Sequence, residues 1–126
     1  MVMNNNELWQ KAIDEHNMSE YLEAHELFED LWLELDDRSE KDIVQTLAQA
    51  DALAVHIQTE NMKAAQRLMR QLPELLQNFP PEYRNIDLRK MKTWILEMID
   101  NIPQSGEIRK GQIRNPRPPK LTKNRN

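Results

Sequence analysis

Residues 19–35 combine histidine, acidic and aromatic side chains in a pattern typical of one α-helix. His25 and Glu29 are four residues apart, so in a helix they lie one turn apart on the same side. There they border the apolar face of the helix, where a polar side chain is partly withdrawn from water. An imidazole and a carboxylate at this spacing can bind a divalent metal ion together. The apolar face consists of Tyr21, Ala24, Leu27, Phe28, Leu31, Trp32 and Leu35.

The segment His25-Glu26-x-x-Glu29 shares its spacing with the H-E-x-x-H helix of zinc metalloproteases, in which two histidines bind the metal and the glutamate acts as base. Here Glu29 replaces the second histidine, and Glu26 points away from the apolar face. His56 or a glutamine of the third helix would have to complete a site formed by His25 and Glu29. A metal-dependent hydrolase centred on these two residues is therefore the alternative hypothesis for function.

A polar stripe follows on the third helix, where Gln45, Gln49 and His56 are spaced by four and seven residues. Facing polar side chains between packed helices can form a hydrogen-bonded network that needs no ligand, because each unpaired buried polar group costs about 1–3 kcal/mol. The same side chains would line a cleft between helices, which is a common place for a ligand. We call the candidate set the polar seam: Glu23, His25, Glu29, Trp32, Arg38, Gln45, Gln49 and His56.

Other chemistry has little support in the sequence. The chain has no cysteine, no serine placed beside a histidine and an acid, and no glycine-rich phosphate loop. His16 lies on the apolar face of the first helix and is interpreted as a core histidine that pairs with a carbonyl group. The sequence therefore favours a non-enzymatic interaction module over an enzyme.

Hydrophobic periodicity predicts an all-α fold, a single bundle of about five helices. The helices are expected over about 5–17, 19–35, 40–59, 61–79 and 87–102, as two antiparallel hairpins followed by a packing helix. Leu22 and Leu33 lie off the main apolar face of the second helix, so they would form part of a homodimer patch if the bundle leaves them exposed.

Residues 103–126, the C-terminal segment, differ in composition from residues 1–102. They contain seven lysines and arginines, one glutamate and four of the seven prolines. Such a composition predicts a disordered basic tail that contacts nucleic acid or an acidic partner through charge, or only increases solubility. The tail could also fold back on the acidic body of the protein. Without aromatic residues it offers no surface for stacking bases.

Size and composition bound the remaining possibilities. A chain of 126 residues is long enough for one domain with one core, and its net charge is −4. The absence of cysteine fits a reducing compartment, and neither a signal peptide nor a membrane-spanning run is recognisable. We therefore expect a cytoplasmic protein without a membrane partner.

The run Tyr21-Leu22-Glu23-Ala24-His25-Glu26, followed by Glu29 and Trp32, resembles the signature of the domain of unknown function 309 family. The resemblance extends over about residues 16–79 and includes Arg38, Gln45, Gln49, His56 and Asn61. It implies an all-helical fold and carries no established biochemical activity. The sequence departs from the family pattern at His16, where an aromatic residue is usual, and at Thr46 and Glu60, where glycines are usual.

Overall fold

The computed structural model of the protein describes residues 3–109 and 111–125. Five helices account for most of the described chain, which confirms the predicted all-α bundle. In chain order they are α1 (Asn5–Asn17), α2 (Tyr21–Glu34), α3 (Arg38–Gln58), α4 (Met62–Leu76) and α5 (Arg89–Asn101).

Local signals in the sequence explain where three of the helices begin. Asn4 and Glu7 form a capping box at the start of α1. The side chain of Asp37 accepts a hydrogen bond from Glu40 N (2.9 Å) at the start of α3. Asn61 accepts one from Ala64 N (3.4 Å) at the start of α4. These side chains satisfy amide groups that have no partner within the helix.

The first four helices are joined by three-residue connections, so sequential neighbours pack against each other in opposite directions. The alanine-rich α3 lies centrally, between α2 and α4. Its buried residues occupy every side of the helix except the one that carries Gln45, Gln49 and His56, and they form one core with the apolar faces of the other helices. No helix in the described part of the chain is long and apolar enough to cross a membrane.

A small antiparallel sheet, which the sequence analysis did not predict, joins the C-terminal segment to the bundle. β1 (Glu82–Tyr83) and β2 (Ile86–Asp87) form a hairpin, and β3 (Thr122–Lys123) pairs with β2. The two turn residues, Arg84 and Asn85, have φ angles of 46° and 68°. Two successive positive φ values are typical of the tight turn that closes a two-residue hairpin.

The C-terminal segment, for which the composition predicts disorder, is packed against the bundle in this structure. Residues 103–109 and 111–125 run back over the bundle, and Leu121 is buried in the core at 2% exposure. The Asn17 side chain donates to Leu121 O (2.8 Å) and accepts from Leu121 N (2.7 Å). One well-placed leucine and backbone hydrogen bonds to distant residues order the segment, and composition alone does not reveal either.

Candidate functional site

His25 is held between two helices by contacts to both of its ring nitrogens. Nδ1 lies 2.7 Å from the carbonyl oxygen of Ala48 on α3, and Nε2 lies 3.0 Å from Glu29 Oε1 on its own helix. Both neighbours are acceptors, so both contacts are hydrogen bonds when the ring carries two protons. The His25 side chain is 21% exposed and that of Glu29 is 53% exposed. The predicted pairing of His25 with Glu29 is thus present within α2, and the contact with Ala48 ties α2 to α3.

Next to this pair, an open groove of about 620 Å³ runs between α2, α3 and α4. We call it the interhelical groove. Four residues of the polar seam lie in its wall, together with residues of α4 that the sequence analysis did not select. The lining residues are Glu29, Trp32, Arg38, Asp42, Gln45, Arg70, Gln71, Glu74 and Leu75.

The groove presents charges of both signs around a half-buried indole. Arg38 Nε lies 3.4 Å from Asp42 Oδ1, one turn further along α3. The Lys41 ammonium group lies 3.9 Å from the centroid of the Trp32 ring and donates to the Trp32 carbonyl oxygen (2.7 Å). A cation over one indole face fixes the orientation of the ring. The groove therefore has a positioned aromatic side chain and several charged groups at its mouth.

The other members of the polar seam do not line the groove. Gln49 is adjacent to it, with Nε2 3.5 Å from Gln71 Oε1. Burial lowers the pKa of His56, and the positive charges of Arg67 and His25 lower it further. Glu23 is exposed and lies near Lys11 on the outer side of α1 and α2.

The residues considered as metal ligands, His25, Glu29 and His56, do not form a recognisable metal site. Among the described residues there is no group of three or more His, Cys, Asp or Glu side chains that could hold a metal ion. The geometry therefore gives the hydrolase hypothesis no added support.

A second polar pair lies inside the bundle, and the sequence analysis identified only one of its two members. His16 Nδ1 is 2.6 Å from Asp51 Oδ1, and His16 Nε2 is 2.7 Å from Pro119 O. Burial by itself lowers the pKa of His16, but the hydrogen bond and charge of Asp51 and the Pro119 carbonyl outweigh it, so the pKa is raised above its ordinary value. The expected carbonyl partner is confirmed. Asp51 was the missed partner, although an acid within the apolar run 50–54 was a visible signal.

The residues of the polar seam lie on α2 and α3, the helices that carry the signature described above. Residues 9–68 match the model of domain of unknown function 309. The resemblance inferred from the signature is thus confirmed over this span. No curated protein and no solved structure shows a significant match to the chain.

The match to domain of unknown function 309 contains the whole polar seam, from Glu23 on α2 to His56 on α3. It ends at Leu68, within α4, so the wall of the interhelical groove formed by Arg70, Gln71, Glu74 and Leu75 lies beyond it. The C-terminal segment also lies beyond it. The family span therefore covers two of the three helical walls of the groove.

Proposed function

We propose that the protein is a non-enzymatic interaction module that binds an extended peptide segment of a partner protein in the interhelical groove. The observation that carries this proposal is the groove itself, an open space of about 620 Å³ with mixed chemistry along its walls. Grooves between helices are common binding sites for peptides and small ligands.

The lining suits a peptide better than a reacting substrate. Trp32 and Leu75 are half-buried and offer apolar contacts, and tryptophan is enriched among residues that dominate binding energy. The side-chain amides of Gln45 and Gln71 can donate to and accept from a peptide backbone. Among the nine lining residues there is no histidine, hydroxyl or thiol group, so carboxylates are the only candidate bases or nucleophiles.

Charge would determine which peptides bind. Arg38 and Arg70 lie in the same groove as Glu29, Asp42 and Glu74. A partner segment with both acidic and basic side chains would match this arrangement, whereas a segment of one sign would meet like charges. The proposal therefore favours a peptide of mixed charge with an apolar residue for contact with Trp32.

A displayed library of random peptides, selected against the full chain in solution, tests the proposal. We expect enriched peptides of mixed charge that bind through the groove and shift the indole N–H resonance of Trp32. Trp9 and Trp94 are 5% and 4% exposed, so their indole resonances serve as internal references.

Two variants with a matched control locate the binding. Arg38→Glu and Gln45→Ala should weaken the selected peptides by about tenfold, an amount typical of one important interface residue. Arg125→Glu reverses an exposed cation away from the groove and should leave binding unchanged. Peptides that bind the groove variants as tightly as the wild type, or a library without enrichment, would refute the proposal.

A further inference from the structure

The order of the C-terminal segment gives its positive charges a fixed place on the surface. Trp94 Nε1 on α5 donates to Asn115 O (2.7 Å). In addition, β3 pairs with β2, the strand that precedes α5 in the chain. Within the segment, Leu121 and Pro118 are buried. In contrast, all six of its described cations are exposed. They are Arg109, Arg114, Arg117, Lys120, Lys123 and Arg125.

The segment and α5 together enclose an open groove of about 400 Å³. We call it the basic groove. Arg89 and Lys90 line it from α5, and Arg117 lines it from the C-terminal segment, with Thr93 and Asn115 between them. Cations from two distant parts of the sequence thus meet in one place. This arrangement is separate from the interhelical groove.

Two of the three cations in the basic groove are available to a ligand. Arg89 is held by Asp87, with Nη2 2.6 Å from Oδ2 and Nε 3.0 Å from Oδ1. Lys90 and Arg117 form no ion pair within residues 3–109 and 111–125. Glu97 lies in the wall and partly offsets the positive charge.

We propose that the basic groove and the exposed cations Lys120 and Lys123 of the C-terminal segment bind the phosphate backbone of duplex nucleic acid. Exposed lysine and arginine side chains bind phosphates by charge, with release of counterions and without reading the bases. The small polar side chains of Thr93 and Asn115 add groups of the kind that donate to phosphate oxygens.

The composition of the groove favours a duplex over the alternatives. Trp94 is 4% exposed and its N–H is already used by Asn115, so no aromatic face is available to stack an unpaired base. No exposed large apolar side chain lines the groove, whereas protein interfaces usually depend on such anchors. Interfaces with nucleic acid are instead polar and rich in positive charge.

The acidic outer surface of α2 would orient the protein on the duplex. Five carboxylates of this helix are exposed, and its only basic side chain is His25. Repulsion between these carboxylates and phosphates would exclude α2 from the interface and leave the basic groove as the contact surface. Because the net charge of the whole chain is −4, binding should be weak and sensitive to salt.

Fluorescence anisotropy with the full chain and a labelled DNA duplex of about 20 base pairs and arbitrary sequence tests the proposal. With two to four phosphates contacted, we expect the plot of log K against log salt concentration to have a slope of about −2 to −4. Duplexes of different sequence should bind equally, and duplex RNA should compete, because the backbone is the target.

Variants distinguish the basic groove from general charge. Lys90→Gln with Arg117→Gln should weaken binding and make the salt slope less negative by about one unit for each contact removed. The control for Lys90→Gln alone is Lys11→Gln. It removes an exposed lysine outside the basic groove, beside Glu15, Glu23 and Glu26. The Lys11 variant should bind as the wild type does. Circular dichroism should show the same helical content in all variants, since each replaces an exposed side chain.

Three results would overturn the proposal. The first is no binding to duplex DNA at low salt. The second is equal loss of binding for Lys11→Gln and Lys90→Gln, which would indicate an effect of net charge alone. The third is tighter binding of a single-stranded oligonucleotide or of a polyglutamate peptide than of the duplex, which would assign the groove to unpaired nucleic acid or to an acidic protein.

Discussion

His16 of α1 and Asp51 of α3 form a buried pair, with 2.6 Å between Nδ1 and Oδ1. The carbonyl oxygen of Pro119 lies on the other side of the same imidazole, 2.7 Å from Nε2. One histidine therefore connects the first helix, the central helix and the C-terminal segment. The dependence of stability on pH follows from this arrangement.

The first prediction concerns pH. The pKa of His16 is raised in the folded protein, so the stabilisation from its protonated form is complete below about pH 6.5, the unfolded value, and is lost as pH rises through the folded value. The free energy of unfolding, measured with urea, should therefore fall above about pH 6.5. Asp51→Asn should be destabilised by about 3–5 kcal/mol and should lose this dependence on pH. An unchanged slope in the variant would contradict the assignment.

The second prediction tests the packing of the C-terminal segment. Leu121 is 2% exposed and Leu96 on α5 is 50% exposed. Leu121→Ala should lower the free energy of unfolding by about 2–5 kcal/mol because it leaves a cavity in the core. Leu96→Ala makes the same chemical change at the surface and should alter stability by about 0.5 kcal/mol or less. Equal, small effects in both variants would mean that the segment is not packed in solution.

The third prediction concerns Glu60, where the family pattern has a glycine. Glu60 has a φ angle of 59° and follows the last turn of α3, where Glu60 N donates to Ile57 O (3.2 Å) and Asn61 N donates to His56 O (2.8 Å). This helix ending favours glycine because a left-handed conformation is strained for other residues.

Glu60→Gly should therefore raise the midpoint of thermal unfolding, by relief of about 0.5–1 kcal/mol of strain. The control is Glu26→Gly in the exposed interior of α2, which should lower stability by about 1 kcal/mol. If both substitutions lower stability, the side chain of Glu60 stabilises the protein by more than its backbone strain destabilises it.

The fourth prediction separates the two contacts of His25. His25→Ala removes the hydrogen bond to Ala48 O, which accepts it in addition to its bond within α3, and should cost about 1 kcal/mol. Glu29→Gln alters a contact whose carboxylate is 53% exposed, so it should cost about 0.5 kcal/mol or less. Urea unfolding of both variants measures the difference. A larger cost for Glu29→Gln would contradict the assignment of the bond to Ala48 as the stronger of the two contacts.

The sequence by itself determined the helices and the local geometry of the signature. Periodicity placed α1 over residues 5–17, and the spacing of His25 and Glu29 fixed their contact, because both depend on residues one or two turns apart. Side-chain caps at Asp37 and Asn61 are likewise local.

Only the tertiary structure decided which polar residues meet across helices. It brought Arg38 and Gln45 into one groove with residues of α4, and it left Glu23 and His56 outside. It also paired His16 with Asp51, and it placed β3 beside β2. These partners are separated by 25 residues or more, so no helical period or composition relates them. Their contacts depend on how the helices pack and on the few residues, Leu121 and Pro118 among them, that are buried in a segment whose charge and prolines predicted disorder.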